Sequence, residues 1–404
     1  MLKQGYKKTE VGVIPEDWDC NQLQDYFSLI SYGFTNPMPT VSDGIYMVTA
    51  NDINEGRIKY ETARKTSEIA YKTLISDKSR PKKNDILLTK DGSLGRLALV
   101  GDFTMCINQS VAVIRPNLRV NPLYLKILLE DSYYQKTMIE NAGGSTIKHI
   151  YITIVNKMKI AIPPSKIEQT AIATALSDAD ALISSLEKLI AKKRNIKQGA
   201  MQELLKPKEG WEMKTLKEIA KYRRGSFPQP YGLDKWYDDT NGFPFVQVFD
   251  VDSNFKLKSE TKRRISTDAQ EMSVYIAKGS VIITLQGSIG RIAITQYDAF
   301  VDRTLLFFES FIIPFDKYYF LLSIFQLFEK EKEKAPGGII KTITKEALSH
   351  FTISYPIIEE QSRIANILFD MDAEIATLEA KLEKYRRVKL GMMQELLTGK
   401  IRLI

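Results

Sequence analysis

Two stretches of the chain place apolar residues at the steps of a coiled coil. In the first they fall at Ile172, Leu176, Ala179, Ile183, Leu186 and Ile190, and in the second at Ile364, Leu368, Met371, Ile375, Leu378, Leu382 and Tyr385. Both sets advance by four and three in alternation, the a/d seam of paired helices. Each stretch opens just after proline (Pro163–Pro164, Pro356) and holds none before its closing G-x-M-Q-E-L-L. The pattern predicts two uninterrupted helices of about 40 residues, ~60 Å long at 1.5 Å per residue.

The two stretches are copies. Shifted by 192 residues, Gln169–Leu205 and Gln361–Leu397 agree at 19 of 37 positions. Charged residues are among them: Asp178/Asp370, Asp180/Asp372, Glu187/Glu379, Arg194/Arg386 and Lys197/Lys389. A strict a/d stripe needs a partner of equal length, and each helix has one in its own duplicate. The expectation is an antiparallel intramolecular coiled coil. The alternative, homodimerisation through one helix, would leave the other seam exposed.

Between the helices the pattern turns to short alternating apolar runs separated by Gly, Asn and Asp, which predicts mainly strands. These segments also repeat, more faintly. EDWDCNQLQDY from Glu16 answers EGWEMKTLKEI from Glu209, and IYMVTANDINEGRI from Ile45 answers FPFVQVFDVDSNFKL from Phe243. DILLTKDGSLGRLALV from Asp85 answers SVIITLQGSIGRIAIT from Ser280, and GGSTIKHI at Gly143 resembles GGIIKTI at Gly337. The fold class expected is α+β, with globular domains at 1–162 and 207–355, the first helix at 163–206, and the second helix with a tail at 356–404. Apolar frames agree between the copies while polar loops differ, which suggests two surfaces doing similar work on different targets.

Composition narrows the work. The net charge of +8 and pI near 9.0 suit a polyanionic partner, most often nucleic acid, although a basic protein need not have one. Two cysteines, Cys20 and Cys106, and two histidines, His149 and His350, are too few and scattered for a disulfide framework or a histidine-rich metal centre. No apolar run reaches the roughly 18 residues of a membrane span. The start, MLKQGYKKTE, lacks the apolar stretch of a secretory signal, so the cytoplasm is expected.

No catalytic constellation stands out. NPLY at Asn121–Tyr124 lacks the second proline of an adenine-methyltransferase motif and reads as a helix start, Asn at the N-cap and Pro at N1. GSxGR, at Gly92–Arg96 and Gly287–Arg291, lacks the Lys-Ser/Thr of a phosphate loop and reads as a turn between strands. A nuclease set of Glu68, Asp85 and Lys90 is not repeated, since Leu285 stands where Lys90 does. The chain is expected to bind rather than catalyse.

Binding DNA requires cations for phosphates and amide or guanidinium groups for base edges. Basic clusters at Lys78–Lys83, Lys221–Arg224 and Lys262–Arg264 supply Lys82, Lys83, Arg223, Arg224, Arg263 and Arg264 as candidates. Four loops at matching places supply base readers. Ser31–Pro37 (Thr35, Asn36) matches Tyr222–Pro230 (Gln229), and Thr49–Asn51 matches Gln247. Thr89–Ser93 (Lys90) matches Leu285–Ser288 (Gln286), and Asn108–Gln109 matches Asp302–Arg303. Arg96 and Arg291 of GSxGR, with Lys148 and Lys341 of the glycine-led segments, complete the set. The basic residues Lys192–Arg194 and Arg386–Arg387 on the long helices are expected to be solvated or to face another subunit.

The order of these motifs, written twice from Gly5 to the C-terminus, resembles the specificity subunit of type I restriction–modification systems. GYKKTEVGVIPEDW, the helix after the tryptophan, GSxGR, the Pro-x-x-x-E-Q helix starts and both QELL endings carry the resemblance. It implies two target recognition domains, each reading one half of a split DNA sequence, and helices that separate them and dock two methylation subunits. It also implies S-adenosylmethionine on those partners and ATP with Mg on a restriction subunit, but no cofactor, metal or catalytic residue on this chain. Heads related by pseudo-twofold symmetry would lie about one DNA turn apart, ~34 Å. Inserting about four residues, ~6 Å of helix, into the first helix would then lengthen the unread spacer by one or two base pairs. The rival readings are a coiled-coil adaptor with two protein-binding heads and an enzyme with an unrecognised site in one head.

Overall fold

The computed structural model describes residues 4–143, 148–334 and 345–403. The chain divides into two compact units, Met1–Lys188 with Ala380–Ile404, and Leu189–Glu379. The principal strands of unit 1 are β1 (Phe27–Tyr32), β2 (Ile45–Val48), β3 (Arg64–Thr66), β4 (Ile86–Thr89), β5 (Leu97–Leu99), β6 (Met105–Ile107) and β7 (Val111–Pro116). They form an antiparallel sheet of order β5-β4-β7-β1 and a second of order β6-β2-β3, in which β2 and β6 run parallel. Helix α1 (Pro122–Glu130) follows, and then the first long helix, α2 (Lys166–Leu204).

Period-two alternation sorts the apolar strand residues between two cores. Ile86, Leu88, Ala112 and Ile114 pack in one core with Tyr124, Leu125 and Leu128 of α1. Leu87, Val111 and Val113 pack in the other with Val48, Met105 and Ile107 of the second sheet. This is why DILL and VAVI read as continuous apolar runs.

Unit 2 repeats the plan with β8 (Ala220–Arg224), β9 (Phe243–Val246), β10 (Arg263–Ile265), β11 (Val274–Ile276), β12 (Val281–Thr284), β13 (Ile292–Ile294), β14 (Ala299–Val301) and β15 (Leu305–Phe311). Its sheets have the orders β8-β15-β12-β13 and β10-β9-β14-β11, again with one parallel pair, β9 with β14. Val281, Ile283, Leu306 and Phe308 face one core, and Ile282, Leu305 and Phe307 the other. Helix α3 (Lys317–Lys334) and the second long helix, α4 (Ile358–Leu396), complete it.

The two long helices contain 39 residues each, as their periodicity predicts. A buried glutamine seats each start. Gln169 accepts from the Asn121 amide at 2.7 Å and donates to the Pro163 carbonyl at 2.9 Å. Gln361 repeats this with the Asp316 amide at 3.0 Å and the Pro356 carbonyl at 2.9 Å. Both side chains are wholly buried. Asn121 also caps α1, accepting from the Leu123 and Tyr124 amides, which confirms NPLY as a helix start. Asp316 does the same for Tyr318 and Tyr319 at the head of α3. The repeated Pro-x-x-x-E-Q is therefore the joint between a head and its helix.

The repeated QELL closes the same cores from the far end. Leu396 and Leu397 enter the unit 1 core beside Ile172 and Leu176, so the first two seam positions serve the globular domain rather than the coil. In unit 2, Leu205 enters the core with Ile364 and Leu368. Within each unit the helix segments run antiparallel and share reciprocal ion pairs. Unit 1 joins Asp180 to Lys389 and Glu187 to Arg386. Unit 2 joins Asp372 to Lys197 and Glu379 to Arg194, the same residue types with helices exchanged. The duplicated charges are thus partners across the coil. Lys192, Arg194, Arg386 and Arg387 are exposed, as expected; in addition Lys193 reaches Glu374 at 2.7 Å, and Arg194 and Arg386 bridge the helices. No helix among the described residues is long and apolar enough to cross a membrane.

Candidate nucleic-acid interface

The parallel strand pair brings the four loops of each unit to one end of its sheets. In unit 1 the Phe34 amide donates to the Ile107 carbonyl at 3.0 Å, and the Gln109 amide returns to the Phe34 carbonyl at 2.9 Å. The Asn108 amide reaches the Val48 carbonyl, and the Lys90 and Asp91 amides reach Ser110. Loops that follow β1, β2, β4 and β6 are stitched together by these bonds. Gly33 permits the closest approach, because a Cβ there would stand 1.8 Å from the Ile107 oxygen.

Unit 2 repeats the stitching. The Ser226 amide meets the Val301 carbonyl at 3.0 Å, the Asp302 amide the Val246 carbonyl at 3.0 Å, and the Leu285 amide the Thr304 carbonyl at 2.9 Å. Gly225 holds the place of Gly33, with a Cβ position 2.2 Å from the Val301 oxygen. The segments that bear the loops are locally self-supporting. The Asp52 carboxylate accepts from the Thr49 amide, and the Asp250 carboxylate from the Gln247 amide, both at 2.9 Å. The wholly buried Thr89 and Thr284 hydroxyls accept from the Arg96 and Arg291 amides and donate to Ser93 and Ser288, closing the GSxGR turns between β4 and β5 and between β12 and β13.

What the frames carry differs. In unit 1, Lys90 lies over the Tyr32 ring at 5.7 Å and pairs with Asp91 at 2.9 Å, while His149 Nδ1 stands 2.6 Å from the same carboxylate. Burial works against the ionised Asp91, but hydrogen bonds from His149 and Lys90 outweigh it and hold the carboxyl below its ordinary value of 3.8. In unit 2, Tyr231 donates to Asp302 at 3.0 Å and accepts from Gln247 at 3.0 Å. Burial, followed by the Asp302 charge, pushes the Tyr231 phenol up to about 12. Arg303 lies over that ring at 5.1 Å, and the aromatic series continues through Phe227 to Tyr237, on which Arg263 stacks at 3.6 Å.

The family model for the type I restriction modification DNA specificity domain matches residues 15–197 and again 208–385. The chain belongs to that family. It is a type I specificity subunit with two recognition domains. It is 26% identical over 431 residues to the MjaX specificity subunit of Methanocaldococcus jannaschii, covering 99% of this chain and 97% of that one. It is 25% identical over 434 residues to the MjaVIII specificity subunit of the same organism, covering 99% and 96%. Among solved structures, the type I S subunit from M. genitalium shares the fold with a TM-score of 0.61 at 16% identity, covering 98% of this chain and 97% of that one.

Within this specificity subunit, the sequence candidates separate by position. Thr35, Asn36, Thr49, Asn51, Lys90, Asn108 and Gln109 lie on the stitched loops of the first recognition domain, and Lys148 flanks His149. Gln229, Gln247, Gln286 and Arg303 lie on or beside those of the second, and Arg224 immediately precedes Gly225. Lys82 and Lys83 stand at the opposite end of β4 from Thr89, and Lys83 pairs with Asp102 at 2.7 Å. Arg96 and Arg291 each donate to a backbone carbonyl, of Ile53 and Val251, at 3.2 Å. Arg223 pairs with Glu309, Arg263 with Asp239, and Arg264 donates to the Gly242 carbonyl. Lys341 lies outside the described residues. Tyr32, Asp91, His149 and Tyr231 were not among the candidates. Tyr32 lies within the quoted Ser31–Pro37 stretch, Asp91 within Thr89–Ser93 and His149 within the glycine-led GGSTIKHI, but nothing along the chain signals that His149 reaches Asp91 across 58 positions.

Proposed function

We propose that each stitched loop cluster reads one half of an asymmetric bipartite DNA site, and that the chain itself is non-catalytic. The observation that carries this reading is the pairing of nearly identical backbone frames with unlike polar side chains: Thr49 against Gln247, Asp91 against Gln286, Gln109 against Arg303. A reader of two different half-sites needs the same reach and different hydrogen-bonding groups. The paired long helices act as spacer and as docking surface for two methylation subunits, which supply S-adenosylmethionine; a restriction subunit using ATP and Mg joins the same assembly. DNA, these subunits and the cytoplasm follow together from the family's role.

The test is binding of the chain, assembled with its methylation subunits, to a pool of random duplexes at several salt concentrations. Selection of one split, asymmetric sequence, with log affinity falling linearly in log salt, is expected. Absence of salt-dependent DNA binding would leave the coiled-coil adaptor as the better reading.

A further inference from the structure

One loop position of each recognition domain is built identically and filled differently. The Asn108 carboxamide oxygen accepts from the Ser110 amide at 3.2 Å and from its hydroxyl at 2.6 Å. The Asp302 carboxylate accepts from the Thr304 amide at 2.8 Å and from its hydroxyl at 2.5 Å. The next contacts match as well: Asn108 to the Val48 carbonyl and Asp302 to that of Val246, Ser110 to the Lys90 amide and Thr304 to that of Leu285. Between the two members of each turn stand Gln109 and Arg303, both exposed. Among the described residues neither side chain makes a hydrogen bond or ion pair, although Asp302 adjoins Arg303. That carboxylate is occupied by Tyr231 and Thr304, and the guanidinium rests on the Tyr231 ring instead.

Resting on the DNA-reading function proposed above, we infer that this position reads adenine through Gln109 in one half-site and guanine through Arg303 in the other. A carboxamide offers one acceptor and one donor side by side, the complement of adenine N6 and N7. A guanidinium offers two donors, the complement of guanine O6 and N7. The turn fixes the backbone on either side, so the ordering on contact is confined to the side chain itself. Tyr231 acts as a positioning residue, limiting the directions in which Arg303 can extend.

The experiment maps methylation and selects binding sequences for the assembled complex carrying Gln109→Arg, Arg303→Gln, Gln109→Ala or Arg303→Ala. Arg303→Gln is expected to change one required guanine to adenine in one half-site and leave the other half unchanged. Gln109→Arg is expected to do the converse in the opposite half. Each alanine variant should relax discrimination at that one base by roughly 5- to 150-fold. Exchange variants that keep the wild-type sequence, or alanine variants that weaken all sequences equally, overturn the inference while leaving DNA reading intact. A wild-type complex that selects no sequence overturns the proposed function itself. Because both side chains are exposed and unbonded, the four variants should fold as the wild type does, and unchanged hydrogen-exchange protection checks this.

Discussion

Replacing Gln169 by leucine keeps the bulk of a wholly buried side chain and removes its polar end. The Asn121 amide loses an acceptor at 2.7 Å and the buried Pro163 carbonyl a donor at 2.9 Å, both at the head–helix joint. A buried polar group left unpaired costs about 1–3 kcal/mol, so two place the loss at about 2–6 kcal/mol. That is a large fraction of the ~5–15 kcal/mol that holds a typical domain. Glutamate at the same position provides a sharper variant. It keeps the acceptor for Asn121 but sets a carboxylate oxygen against the Pro163 carbonyl. Its folded-state pKa should therefore rise above the unfolded value. The protonated form restores the donor, so Gln169→Glu should be tolerated below about pH 4 and should lose stability as the pH rises through that raised value. A chain of two units does not unfold as one two-state transition. Hydrogen exchange resolved by peptide is therefore the assay, comparing residues 121–130 and 166–176 with 316–330 and 358–368. Gln169→Leu should deprotect the first pair and spare the second, and Gln361→Leu should do the reverse. A loss below ~0.5 kcal/mol, or equal weakening of both units, would refute the assignment of these glutamines as joints.

Gly33→Ala drives a Cβ against the Ile107 oxygen and should part the loop after β1 from the loop after β6, costing about 2–3 kcal/mol as two backbone bonds fail; loss of amide protection at Phe34 and Gln109 measures it, with Gly225→Ala acting only in unit 2. Asp91 is held below 3.8 in the folded chain, so its contribution is present above that value and lost as the pH falls through the lowered one; the gap in amide protection of residues 86–116 between wild type and Asp91→Asn should close as the pH is taken below 3.8. Asp180→Lys places like charges opposite Lys389 and should cost up to ~1 kcal/mol, which the double exchange with Lys389→Asp should recover in denaturant titration.

The two long helices and their pairing were determined by the sequence alone, because both signals are one-dimensional. A seam repeating every 3.5 residues needs no knowledge of the rest of the chain, and a duplicate seam supplies its own partner. The strands around GSxGR were legible for a similar reason, since burial on both faces produces unbroken apolar runs such as Ile86–Leu88 and Val281–Ile283. Tertiary structure decided the roles of the polar residues. Lys83 and Lys90 are both cations beside the same strand, yet they stand at its opposite ends, one paired with Asp102 and the other stitched among the loops. Arg194 and Arg386 are surface charges, as the sequence suggests, but only antiparallel packing sets each against a glutamate of the other helix. His149 meets Asp91, and Gln109 meets Phe34, only because strands distant in the chain lie side by side. A side chain's partner is fixed by distance in space, and in a fold whose central strand pairs are non-local, spacing along the chain carries little of that information.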